Sequence, residues 1–282
     1  MSTTTTVRRL TPQMRRALVV SVLILITLGS ALVLFPQDTD RFFSWPIAPP
    51  LTASVLAANY YTATLILLLA MRGWVWAPVK VVLPGGIIFS SLAALATLLH
   101  LDKFNFGSEA TSAQVIAWVW LIAYLILPPL LVALWPAQSR APGDDPVAGP
   151  PPPWLRACVL GIGAALVIVG VLLFVVPGSV ADPWPWALTP LTGRVLSAWF
   201  TGLGLVFGTA AWSNDRLRIR APVIGLVALG VLQGLALLRH GADAGGPALG
   251  VWVAFLGLCV VVGLVGLRSV WDDDPARLGT IT

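Results

Sequence analysis

Eight stretches of this chain are apolar for about the length that crosses a lipid bilayer. They cover 17–35, 51–71, 79–99, 113–135, 157–176, 191–212, 221–238 and 248–267. A spanning helix needs about 20 mostly apolar residues to traverse ~30 Å of hydrocarbon. Strands of a membrane barrel would be about ten residues long and would alternate apolar with polar. These runs are twice that length and apolar on every face, so the pattern predicts helices. None carries a charge at its middle; the nearest exception is Arg194, one turn inside the sixth. No segment between the runs is large enough to form a soluble domain.

Composition agrees with that pattern. Of 282 residues, 57% are apolar and 10% are charged, against roughly 25% charged in an average globular chain. Too few charges remain to clothe a soluble surface, which excludes a soluble two-domain enzyme and intrinsic disorder. The expected fold is all-α, a polytopic membrane protein of eight transmembrane helices.

Lys and Arg near the span ends predict the orientation. Arg8, Arg9, Arg15, Arg16, Arg72, Lys80, Arg140, Arg156, Arg216, Arg218, Arg220, Arg268 and Arg277 fall on one side. Only Arg41, Lys103, Arg194 and Arg239 fall on the other. Both termini are therefore expected in the cytoplasm, and the net charge of +5 reads as a topology signal. The arginines are shared among five separate inner segments, so no nucleic-acid surface is expected. The first span follows Arg15-Arg16 like a signal peptide but lacks a small-residue cleavage pattern, so it is expected to stay. Cys158 and Cys259 both lie in spans, without metal spacing or a disulfide framework.

The chain also repeats itself. Pro50-Leu51-Thr52-Ala53-Ser54-Val55-Leu56-Ala57-Ala58-Asn59-Tyr60 lies over Pro190-Leu191-Thr192-Gly193-Arg194-Val195-Leu196-Ser197-Ala198-Trp199-Phe200, six of eleven positions identical at an offset of 140. Upstream, Trp45-Pro46 matches Trp184-Pro185 after a one-residue gap, and His100 and His240 are again 140 apart. Each copy holds four spans, and an even number returns the chain to its starting side. The expectation is two four-helix repeats of the same orientation, related by an axis along the membrane normal. The organisation reads as an N-terminal tail 1–16, a first repeat 17–135, a Pro/Gly-rich cytoplasmic linker 136–154, a second repeat 155–271 and a C-terminal tail 272–282. Both tails are expected to be disordered, and the linker, with Pro150 to Pro153 in a run, stiff and partly extended.

The copies differ in their glycines and prolines. Residues 1–140 hold 5 glycines and the remainder 21. Gly204 with Gly208, and Gly230 with Gly234, are four apart, a spacing that lets helix backbones approach. Pro84 and Pro128-Pro129 are expected to kink the third and fourth helices.

No catalytic motif is present: no phosphate-binding loop ending in Gly-Lys, no HExxH, no CxxC and no GxSxG elbow. No catalytic residue, metal site or cofactor is predicted. Candidate ligand-binding residues gather at the outer rim. Thr189-Pro190 is a helix start with Thr as N-cap, and Arg194 follows one turn later. A helix N-terminus and a guanidinium favour an anion such as a lipid phosphate, with Trp184 and Trp186 expected to flank it. The plainer alternative has the tryptophans anchored in the interface and Arg194 snorkelling to the headgroups. His100 and His240 end the third and seventh spans on that side, as a pH-sensitive or metal-binding pair or simply as helix ends. The tryptophans cluster near span ends, as an aromatic belt would.

The string Trp184-Pro185-Trp186-Ala187-Leu188-Thr189-Pro190-Leu191-Thr192-Gly193-Arg194 resembles a motif of uncharacterised bacterial multi-pass membrane proteins. That resemblance implies a bacterial plasma-membrane location and attaches no activity to any residue. The expected function is a non-enzymatic membrane binding or transport module for a small or lipid-like ligand, sited at the outer face between the repeats. The alternative is a structural or assembly subunit of a larger membrane complex. Expected partners are the lipid bilayer, an anionic lipid headgroup or another membrane protein.

Overall fold

The structure, a computed structural model, describes residues 6–178 and 182–270. Among these, eight helices are long and apolar enough to cross a membrane. They are α1 (Pro12–Leu34), α2 (Pro50–Ala70), α3 (Trp76–Leu98), α4 (Thr111–Ser139), α5 (Pro153–Val175), α6 (Pro190–Trp212), α7 (Arg216–His240) and α8 (Ala248–Val270). The described residues form no sheet, only two isolated bridges. This is the architecture of a multi-pass membrane protein.

Local chemistry sets the helix ends. Thr11 caps α1, its hydroxyl accepting from the Met14 amide, with Pro12 in the first turn. The helix therefore starts five residues before the apolar run, because Arg15 and Arg16 belong to its first turns. At the far side of the first half, α4 runs through Pro128, Pro129 and Pro136 to Ser139, and α3 runs through Pro84. Neither expected kink interrupts its helix. Residues 6–10 are not a loose tail: Arg8 pairs backbone to backbone with Asp144, Leu10 donates to the Trp74 carbonyl, and Trp76 donates to the Arg8 carbonyl. The linker closes over them. Asp145 meets both Arg8 and Lys80, and Gly143, at φ +100 and against the Thr6–Arg8 backbone, is a position that a side chain would block. Residues 1–5 of the expected N-terminal tail, and all of the expected C-terminal tail 272–282, lie outside the described residues.

Four helices form the centre and four the periphery. α2 and α6 are the most buried, α8 the least. The closest central pairings are α3 along α6 and α2 along α7, while α1 covers α2, α4 covers α3, α5 covers α6 and α8 covers α7. Because lipid tails are as apolar as leucine, contact between such helices is set by backbone approach and hydrogen bonds. Gly85 of α3 faces the Gly202 carbonyl of α6, and Gly202 faces Phe89 and the Gly85 carbonyl in return. Gly204 meets the backbone of Gly163 on α5, and Gly230 meets Leu256 on α8. The glycine pairs of the second half thus tighten its own helices, though Gly208 and Gly234 themselves would meet nothing with a Cβ.

One polar pair bridges the α2–α7 contact: Gln233 Nε2 donates to Asn59 Oδ1 at 2.8 Å, both residues fully buried. Removing one partner strands the other amide in an apolar interior, at about 1–3 kcal/mol. Asn59→Leu should therefore lower the thermal midpoint in detergent, and Asn59→Leu with Gln233→Leu should regain most of the loss. Additive losses in the double variant would deny the contact.

Candidate functional site

The two proline–tryptophan loops lie at one end of the bundle, called here the loop end. At the start of α6 the Thr189 hydroxyl accepts from the Thr192 amide, the cap read from the sequence. The hydroxyl of Thr192 in turn accepts from the Trp45 indole at 3.4 Å and from the Thr189 hydroxyl at 2.9 Å. Trp45 belongs to the first loop, so that loop ties down a helix of the second half. At the start of α2 the partner is different: Asp243 accepts from the Leu51 amide at 3.2 Å. Neither tie was visible in the sequence, although the shared Pro-Leu-Thr string marks the two helix starts they serve.

Arg194 stands one turn into α6 and is half-buried. Its Nη1 lies 2.6 Å from Nε2 of His100, in the turn after α3. A guanidinium only donates, so His100 accepts and is neutral. Burial, then the charge of Arg194, holds its pKa below the ordinary 6.5. No carboxylate lies within ion-pair distance of Arg194 among the described residues, where the ion pairs are Arg8–Asp145, Lys80–Asp145 and Lys103–Asp102. The Nε of Arg194 is buried without a hydrogen-bond partner. The result is a cationic group at the rim with spare donors and a proton-accepting neighbour, an arrangement suited to an anion. The adjacent Asp102–Lys103 pair is mostly exposed and therefore contributes little to holding the turn.

Trp184 and Trp186 find their partners among other rings. They pack edge to face with each other and against Trp252 of α8, Trp184 also against Phe200. Residue 200 lies six positions past 194, about 240° around the helix at 100° per residue, so the aromatic nest and the guanidinium occupy different sides of α6. Several tryptophans pack inside the protein. Trp186, Trp45, Trp76, Trp120 and Trp199 are buried, and only Trp118, Trp154 and Trp212 are exposed among the described tryptophans. Trp45 sits against Phe43, Phe104 and Trp120. Belt and core rings both fall near helix ends in sequence, which is why spacing alone did not separate them.

His240 is placed elsewhere. It borders a polar recess at the loop end with Pro36, Gln37, Asp38 and Arg239, and Arg239 donates to the Val33 carbonyl. The position equivalent to Arg194 is Ser54, so His240 has no guanidinium partner there. No hydrogen bond joins the two histidines, and no three of the His, Cys, Asp and Glu residues among those described come together as a metal site. Of the predicted site residues, the structure brings together Arg194 with His100, and separately Trp184 with Trp186, while Thr189 serves the helix cap.

No protein-family model, no curated protein and no solved structure matches this chain.

Proposed function

We propose that this chain is a non-catalytic binding or transport module of the bacterial plasma membrane that holds an anionic, lipid-like ligand at the outer face. The observation that carries the reading is the Arg194–His100 pair: a rim guanidinium with no carboxylate partner among the described residues, bonded to a neutral imidazole. The phosphate of a lipid headgroup suits it in charge and geometry. The pair joins α6 to the turn after α3, one from each half of the sequence, which supports a site between two repeats.

The duplicated architecture belongs to the same proposal. The helix pairings support it, since each has a counterpart when α1–α4 are exchanged with α5–α8: α3 with α6 answers α7 with α2, and α1 with α2 answers α5 with α6. The termini and the linker then share the cytoplasmic side, in keeping with the Lys and Arg distribution. The unequal residues, Arg194 against Ser54, make one of two equivalent positions the anion seat.

The test is thermal stability of the purified protein in vesicles of phosphatidylglycerol or of phosphatidylcholine, with inorganic phosphate as a separate arm. The unfolded chain binds a proton near pH 6.5 that folded His100 refuses. In phosphatidylcholine, stability should therefore be full above that pH and decline as pH falls through it toward the lower folded value. An anion favours protonated His100 beside Arg194, so phosphatidylglycerol should remove the decline, giving a midpoint about 3 °C higher at acid pH. Arg194→Gln should abolish the lipid effect, and His100→Gln should remove the His100 part of the pH dependence, leaving that of His240 at the end of α7. Equal midpoints in both lipids would defeat the anion seat.

A second reading, an assembly subunit, is favoured by one observation. A Cβ at Gly250 or Gly257, seven apart on α8, would meet no atom of the described residues, leaving a small-residue face on the least buried helix of the kind that packs against another membrane helix. Copurification of a stoichiometric partner that is lost with Gly257→Leu would favour this second reading.

A further inference from the structure

The first half contains a cavity that its sequence counterpart explains. In the second half, Gly163 and Gly170 of α5 and Gly263 of α8 lie against helix backbone of α6 and α7. The first half has only 5 of the 26 glycines, and although Gly29 of α1 lies against Tyr60, α1 and α4 pack less extensively on the central helices than α5 and α8 do. What results is an apolar cavity of about 100 Å³ walled by α1, α2, α3, α4 and α6. Ile24, Leu127, Phe89, Trp199 and Leu203 are among its lining, with no charged residue. Phe89 and Trp199 stack at 3.8 Å across one end, and Tyr60 and Tyr124 pair their hydroxyls at 3.0 Å behind them.

Its depth and mouth identify the occupant. Gly86 lines the cavity near the middle of α3; it is exposed, and a Cβ there would meet no atom. An opening at that depth faces the hydrocarbon of the bilayer, where the surrounding medium is acyl chain. The volume is of the order of the ~150 Å³ apolar cavity that takes up benzene in a soluble protein, room for a few methylenes but none for a headgroup. Such a cavity excludes water, and filling it restores dispersion contacts that its lining lacks.

We infer that this cavity is a lateral binding site for one acyl chain of a membrane lipid, which enters sideways past Gly86 between α1 and α4. The site is distinct from the Arg194–His100 seat: its lining Trp199 stands five residues from Arg194 along α6, about 7.5 Å, and its lining Phe89 eleven residues from His100 along α3, about 16 Å, at 1.5 Å each. A bound chain wedges α1 and α4 at their present spacing.

The experiment uses the whole protein in phosphatidylcholine vesicles doped with phosphatidylcholine carrying a diazirine in mid-acyl chain, with photolabelling and peptide mass spectrometry. Adducts are expected on Ile24 and Leu127. Gly86→Leu, whose Cβ meets no atom and whose longer side chain fills the mouth, should reduce them about tenfold, as should Ala63→Leu on α2. Gly257→Leu on α8 should leave them unchanged, and so should Arg194→Gln, which separates this site from the anion seat. A diazirine placed in the headgroup should not label these residues. Equal labelling of Ile24 and Leu127 in wild type, Gly86→Leu and Ala63→Leu would mean ordinary surrounding lipid and would overturn the site. Headgroup labelling inside the cavity would overturn it as well.

Discussion

Gly85→Val is expected to lower the thermal midpoint in detergent by about 10 °C, from a cost of about 3 kcal/mol. A Cβ at residue 85 would press on the Gly202 carbonyl and on Val206 of α6. Backbone is what stands in the way, so the two helices must part rather than a side chain turn aside. Gly202→Val should cost a similar amount, because its Cβ meets Phe89 and the Gly85 carbonyl from the other side. The neighbour on the same helix makes the control: Gly86→Ala meets no atom and should leave stability level or raise it slightly, since alanine is the better helix former. A stable Gly85→Val would deny that α3 lies against α6.

The second large effect is expected at Trp199. Its ring is fully buried, stacked on Phe89 and edge-on to Tyr60 at 4.6 Å. Trp199→Ala should cost about 3 kcal/mol, the low end for such truncations, because between helices in lipid the loss is packing rather than transfer from water. Trp199→Phe should recover more than half. By contrast Trp212, 76% exposed at the other end of the same helix, should tolerate alanine within about 0.5 kcal/mol. Equal losses at the two positions, read by thermal unfolding in one detergent, would mean that Trp199 is an interfacial ring and no part of the core.

These two contacts mark the boundary of what the chain revealed before its structure was known. Helices were legible because a bilayer demands a long apolar run, and all eight runs became helices. Their ends shifted where a cap or a charged first turn hid the start, as Thr11 and Arg15 did for α1. Which helix faces which was not legible. The runs are apolar all round, so no stripe points to a neighbour, and the pairing of α3 with α6 rests on glycines 117 residues apart. The same distance problem concealed His100 from Arg194: each was singled out, but they stand 94 positions apart with no pairing signal in the sequence. The glycine imbalance was plain in the sequence. It acquires a consequence only once Gly163 and Gly204 are seen in contact and the first half is seen to lack such pairs around the cavity.

The most direct test of the architecture is which side of the membrane each loop occupies. In a background with Cys158→Ala and Cys259→Ala, single cysteines are introduced at Gln37, Asp182, Arg72 and Arg140, all exposed, and intact bacterial cells are treated with a membrane-impermeant maleimide. Two like-oriented halves require that Gln37→Cys and Asp182→Cys both react in intact cells, and that Arg72→Cys and Arg140→Cys react only after the membrane is opened. Reaction of positions 37 and 182 from opposite sides would contradict the parallel arrangement, and with it a ligand site shared by the two halves.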